Sequence, residues 1–200
     1  MTGEQHLDFV TIVSGLPRSG TSMMMRMLEA GGMPMVVDYD RKPDEDNPNG
    51  YYEFEAVKKM KEDVSWMGGA VGKAVKAIHV LLYDLPKEFR YRVVFMRRGL
   101  NEVIASQNTM LQRSGASTGK METQVLARHF DTQLKQVDSW LQRQPHMKVL
   151  YVDYAEAVRD PLTYAQRISE FLGGALDWER MAATVDSGLY RQRSSRPPGS

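Results

Sequence analysis

Nine consecutive residues, Ser14-Gly15-Leu16-Pro17-Arg18-Ser19-Gly20-Thr21-Ser22, crowd two glycines, four hydroxyls and a guanidinium into one turn. Backbone N–H groups, hydroxyls and a fixed positive charge are the donors that hold an anion, usually a phosphate. A second basic feature is the pair Arg97-Arg98, followed by Gly99, with Ser106 eight residues beyond Arg98. A guanidinium suits a phosphate monoester because it offers paired parallel donors. For proton transfer the candidates are His79 and, near the end of a polar stretch, Glu53 and Glu55. The four histidines are scattered and no carboxylate pair has ligand spacing, so no metal site is expected.

These groups need elements to position them. Phe9-Val10-Thr11-Ile12-Val13 is short and β-branched, as a buried strand should be, and Met23 to Ala30 reads as a helix stopped by Gly31-Gly32. A strand turning into a helix leaves the first-turn N–H groups unpaired at the positive end of the helix dipole. Arg92 to Met96 reads as a second inner strand, which puts Arg97-Arg98 at a strand's carboxyl end, where open α/β sheets bind ligands. Further strands are expected at Val75 to His79 and Lys148 to Val152, with an edge strand over Met33 to Val37. Helices are expected over Ala56 to Val64 on the solvent side, and over Glu102 to Arg113, Thr123 to Gln142 and Pro161 to Leu172. Asp38 to Gly50 and Gly115 to Gly119 read as loops. Strands alternating with helices predict a three-layer α/β/α fold with a central parallel sheet, of the nucleotide-binding P-loop type.

Two hundred residues at 42% hydrophobic content suit a single domain, drawn here as 1–190, with a basic Pro/Ser-rich tail over 191–200. A net charge of +1 gives no global attraction for nucleic acid. No apolar stretch approaches the length of a membrane span and the first residues lack a signal-peptide pattern, so a cytoplasmic protein is expected. The absence of cysteine excludes disulfides and thiolate chemistry. Nothing in the sequence speaks to the oligomeric state.

Gly15-x-x-x-x-Gly20-Thr21-Ser22 has the glycine spacing of a Walker A loop, with Thr21 where the nucleotide lysine belongs. That lysine reaches a transferred phosphate beside Mg²⁺. Its replacement argues against a P-loop kinase or NTPase and for a nucleotide whose transferred group is less charged and needs no metal.

Pro17-Arg18-Ser19-Gly20-Thr21-Ser22 resembles the 5′-phosphosulfate-binding loop of sulfotransferases that use 3′-phosphoadenosine 5′-phosphosulfate (PAPS). Arg98 to Ser106 is similar to the same family's 3′-phosphate motif, with Leu100 where a proline is usual. Tyr154 to Pro161, running on to Phe171-Leu172-Gly173, resembles the stretch after the last core strand. The resemblance implies that Arg18, Ser19, Gly20, Thr21 and Ser22 bind the 5′ end, and that Arg98 and Ser106 bind the 3′-phosphate. Spacing to Ser106 favours Arg98 over Arg97. It also implies that Arg191 and Arg193 close over the nucleotide, where composition alone reads a solvated tail. Lys76 to Pro86 resembles the family segment in which a catalytic histidine precedes a Leu-Pro pair, although Lys76 precedes His79 by three residues rather than two. His79 is therefore the first choice for the base, with Glu53 as the rival, and Arg18 is expected to steady charge on the bridging oxygen. The expected activity is sulfuryl transfer from PAPS to a hydroxyl or amine of a small-molecule, lipid or carbohydrate acceptor. The other readings are a P-loop kinase or NTPase-like protein, or a nucleotide-binding module without catalysis.

Overall fold

The first strand, β1 (Val10–Gly15), is buried at every position, which its β-branched sequence favours because both faces of a parallel sheet are covered. A computed structural model describes residues 7–38, 50–113, 123–186 and 188. After β1 come α1 (Thr21–Ala30), β2 (Ala74–Lys76), β3 (Tyr91–Arg97), α2 (Leu100–Arg113), α3 (Thr123–Leu141), β4 (Met147–Asp153), α4 (Tyr154–Arg159), α5 (Pro161–Phe171) and α6 (Trp178–Ala183). Short 3-10 helices cover Glu55–Lys59, Ser65–Ala70 and His79–Asp84.

The four strands pair in parallel in the order β2-β1-β3-β4. Ile12 lies opposite Val75 on one side and Val93 on the other, and Val93 lies opposite Val149. The chain steps from β1 outward to β2, then crosses back to place β3 on the other side of β1. The direction therefore reverses between β1 and β3, and the crevice at their carboxyl ends is where such sheets take ligands.

Strand residues alternate between two cores, as the two-residue period of a strand requires. Val13, Val94, Met96 and Val152 face a core completed by α1 and α5, including Met24, Met25, Met27, Leu28 and Ile168. Val10, Ile12, Val75, Val93 and Phe95 face the other, closed by Val137 and Leu141 of α3 and by Met60, Met67 and Leu82. Leu16, at the start of the turn after β1, packs with Val103 and Ile104 of α2 and Phe130 of α3. That contact fixes the turn's entry against the helix that carries Ser106.

The three-layer parallel fold is as expected, and several local expectations are corrected. The strand expected over Val75 to His79 ends at Lys76, and His79 opens a 3-10 helix. The Ala77 N–H still donates to the Val13 carbonyl at 3.0 Å as the last ladder bond, and beyond it the apolar run turns at Ile78 into the 3-10 helix. Met33 to Val37 makes only an isolated bridge between Met35 and Ala74. Ala56 to Val64 is not a solvent-facing helix: Val57 and Met60 are buried beneath a 3-10 turn. Among the described residues no helix is long and apolar enough to cross a membrane.

Candidate functional site

The turn between β1 and α1 is built on unusual backbone. Gly15 has φ 145° and Gly20 φ 100°, and Arg18 itself takes the left-handed region at φ 68°. A Cβ at Gly15 would stand 2.5 Å from Ser19 Oγ and 2.6 Å from the Met96 carbonyl oxygen. At Gly20 it would stand 2.3 Å from Cδ2 of the Tyr154 ring. Both glycines are thus demanded by conformation and by close approach. A strained arginine at a turn apex is the kind of backbone that binding sites hold.

The Ser19 N–H donates to the Leu16 carbonyl at 3.1 Å, so it is turned into the loop rather than toward a ligand. Helix α1 starts at Thr21, one residue after Gly20, and its first-turn N–H groups have no acceptor within the helix. Ser19 Oγ is buried and has no hydrogen-bond partner among the described residues. An orphaned buried hydroxyl beside a helix N-terminus fits a site that takes an anionic group.

The Arg18 side chain reaches across to the second helix. Its Nε donates to Ser106 Oγ on α2 at 3.0 Å. Arg98 Nη1 in turn donates to the Arg18 carbonyl at 3.1 Å. The two candidate anion sites are therefore joined by a pair of hydrogen bonds across the carboxyl ends of β1 and β3.

Arg98 is almost enclosed, its side chain 8% exposed, and Glu102 Oε2 receives its Nε–H at 3.0 Å. The guanidinium also lies over the Tyr154 ring, 4.6 Å from its centroid. Burial pushes the Tyr154 hydroxyl above its usual pKa, so the ring stays neutral under the cation. Arg97 points elsewhere: its Nη2 pairs with Asp138 Oδ2 at 2.5 Å and its guanidinium covers Tyr151 at 4.1 Å. Strand alternation separates the two arginines, and only Arg98 faces the turn.

His79 is 3% exposed, with Nε2 3.1 Å from Gln133 Oε1 on α3. Burial lowers its pKa below the usual imidazole value, opposed by the hydrogen bond to Gln133, and the His129 charge lowers it further, while Nδ1 is buried with no hydrogen-bond partner among the described residues. It is therefore a neutral imidazole at pH 7, packed beneath the turn.

Glu53 lies on a segment that runs beside α1, meeting Ser22 in its first turn and Glu29 in its last. The Tyr51 carbonyl accepts from Ser22 Oγ at 3.4 Å and also from Lys76 Nζ, and Tyr52 Oη donates to Glu29 at 2.6 Å. Glu53 itself pairs with Lys58 at 3.6 Å and its side chain is 26% exposed. Glu55 is exposed in the first turn of a 3-10 helix and bonds Lys58. Arg191 and Arg193 lie outside the described residues, as does most of the loop between Asp38 and Gly50.

Sequence reasoning missed Glu102, Tyr154, Lys76 and Gln133 as parts of this site. Glu102 stands four residues after Arg98, a spacing that signals an ion pair, but the pair spans a strand–helix junction rather than a helix face. Tyr154 directly follows β4, so its place at the carboxyl edge was readable. Among the described residues no cluster of His, Asp and Glu is arranged to hold a metal ion.

Residues 10–197 match the family model described as the sulfotransferase domain. No curated protein sequence matches the chain. A mouse sulfotransferase, SULT7A1, solved in complex with PAP, shares the fold at 14% identity and a TM-score of 0.53, over 94% of this chain and 67% of that one. The sulfotransferase domain from the curacin biosynthetic pathway shares it at 14% identity and a TM-score of 0.52, over 98% of this chain and 95% of that one.

Proposed function

Because the chain belongs to the sulfotransferase domain family, we propose that it moves a sulfuryl group from PAPS to a hydroxyl or amine of a small-molecule, lipid or carbohydrate acceptor. One observation carries the choice of donor: the turn after β1 and the Arg98/Ser106 pair after β3 meet at the sheet's switch point, joined through Arg18. A ligand phosphorylated at both ends of one nucleoside matches two anion sites held side by side. The mouse structure that shares the fold was solved with such a nucleotide, PAP.

The bound donor supplies the activated sulfuryl group and two phosphate handles. The chain's own residues do the rest. The hydroxyls of Thr21 and Ser22, Ser19 Oγ and the first-turn N–H groups of α1 hold the 5′ end, with the Gly20 bend letting the backbone approach. Lys76 shares the Tyr51 carbonyl with Ser22, so it adds a second cation at that end. Arg98 and Ser106 hold the 3′-phosphate. Arg18 stands between the two ends and steadies the charge that develops as the S–O bond breaks. His79, neutral at pH 7, takes the acceptor's proton, and Glu53 is the second candidate for that step.

The chain leaves α6 beside α1, where Arg26 Nη2 donates to the Thr184 carbonyl at 2.6 Å. Arg193 follows nine residues later, a reach of up to about 30 Å. Arg191 and Arg193 are thereby able to return over the nucleotide. A cytoplasmic site of action fits a chain that has no cysteine.

Calorimetry with PAP, compared with ATP plus Mg²⁺, tests the donor. Tight metal-independent binding of PAP is expected. Equal or preferential binding of ATP with Mg²⁺ would replace this reading with a P-loop kinase or NTPase-like one.

A further inference from the structure

Arg98 is held on more sides than an ordinary strand-end arginine. Glu102 fixes its Nε edge at 3.0 Å, the Arg18 carbonyl fixes Nη1 at 3.1 Å, and the Tyr154 ring lies under its face at 4.6 Å. Both partners from outside the turn are themselves buried, Glu102 at 6% and Tyr154 at 6% exposure. An exposed ion pair contributes little, but a buried one confines its members to a narrow range of geometry. A flat cation lying over an aromatic ring is confined in the remaining direction.

Tyr154 has a second contact that gives this arrangement a use. Its ring edge lies so close to Gly20 that a Cβ there would stand 2.3 Å from Cδ2. One side chain therefore abuts the turn that receives the 5′ end and the guanidinium that receives the 3′-phosphate. The ring therefore touches both anion sites, Gly20 at its edge and the Arg98 guanidinium over its face.

Resting on the PAPS reading above, we propose that Tyr154 and Glu102 are positioning residues that create the enzyme's selectivity for a 3′-phosphorylated nucleotide. They do so by locking the Arg98 guanidinium at a fixed distance from the Gly20 turn. Neither side chain is assigned a contact with the nucleotide. The sign of one substitution separates orientation from simple charge. Removing the Glu102 carboxylate takes a negative charge away from a phosphate site, which by Coulomb's law alone would strengthen phosphate binding. A loss of affinity on that substitution is the mark of a guanidinium that has lost its alignment.

The test is calorimetric binding of adenosine 3′,5′-bisphosphate and adenosine 5′-monophosphate to the full chain. Four proteins are compared: wild type, Tyr154→Phe, Tyr154→Leu and Glu102→Ala. The bisphosphate-to-monophosphate affinity ratio is expected to stay at the wild-type value in Tyr154→Phe, which keeps the ring. It is expected to fall about tenfold in Tyr154→Leu and in Glu102→Ala, corresponding to about 1.4 kcal/mol, with monophosphate affinity within about twofold of wild type. A purely structural role would lower both ligands together or only the melting temperature, leaving the ratio unchanged, and that result overturns the proposal. A ratio that rises in Glu102→Ala overturns it as well. Should one variant fail to fold, the other decides. A wild-type chain with no preference for the bisphosphate overturns both this proposal and the PAPS reading. A wild-type preference that survives both substitutions overturns this proposal alone.

Discussion

Arg18 Nε donates to Ser106 Oγ at 3.0 Å, linking residues 88 positions apart in the chain. The bond ties the anion-binding turn to the second helix and gives Ser106 a charged partner at the mouth of the site. In the proposed complex Ser106 Oγ also bonds the 3′-phosphate, and a hydrogen bond to a charged group contributes about 1.5–3 kcal/mol. Ser106→Ala is therefore expected to weaken PAP binding by about tenfold or more while changing binding of adenosine 5′-monophosphate by less than about twofold. Equal loss for both ligands in calorimetry would mean that Ser106 supports the turn rather than the 3′-phosphate.

Gly20 has left-handed backbone and the Tyr154 ring against it. Gly20→Ala must either move the ring or open the turn. Strain and overpacking together are expected to cost about 2–4 kcal/mol of stability. Nucleotide binding should fall even at temperatures where the variant stays folded. A thermal melt and a PAP titration check this, and wild-type values in both would show that the turn relaxes freely.

His79 has its pKa lowered in the fold, with burial as the first cause. Between the lowered value and the ordinary value of about 6.5, the unfolded chain binds the proton and the folded chain does not. Stability contributed by this group is thus full above the ordinary value and is lost as pH falls below it. The melting temperature of wild type should drop more steeply than that of His79→Gln as pH is lowered from 7.5 to 5.5. If His79 is the base, the acid limb of turnover should also lie below the ordinary imidazole value. Unchanged turnover in His79→Gln would move the role to Glu53.

Arg97 and Arg98 are adjacent in sequence and opposite in use. Arg97 is committed to Asp138 and the Tyr151 ring. Arg97→Ala is expected to leave PAP affinity within about twofold of wild type. A large loss on titration would show that both arginines serve the nucleotide.

Much of this site was legible because it sits at junctions with strong local signals. The β-branched run before Gly15 and the helix formers after Ser22 fix a strand–turn–helix whatever surrounds them. The spacing from Arg98 to Ser106 likewise bridges the end of β3 and a helix, and Leu100 in place of proline still starts that helix, at Leu100 itself. What escaped depends on contacts between distant segments. The direction of the Arg18 side chain follows from where α2 packs. Glu102 reads in sequence only as the first residue of the expected helix, and only the fold buries it against Arg98. The short helices α4 and α6 are each too brief to show a period, and the alternation of charge over Ala56 to Val64 concealed the buried Val57 and Met60.

The central claim is that Arg98 reads the 3′-phosphate of a nucleotide whose 5′ end lies in the turn after β1. Arg98→Lys keeps a positive charge beside Glu102 but removes the planar fork. Calorimetry of PAP and adenosine 5′-monophosphate in wild type and in Arg98→Lys tests the claim most directly. The account predicts that wild type prefers PAP by about a hundredfold, and that Arg98→Lys loses most of that preference while binding the monophosphate as wild type does. Equal affinity of the wild type for the two nucleotides, or a preference untouched by Arg98→Lys, would contradict it.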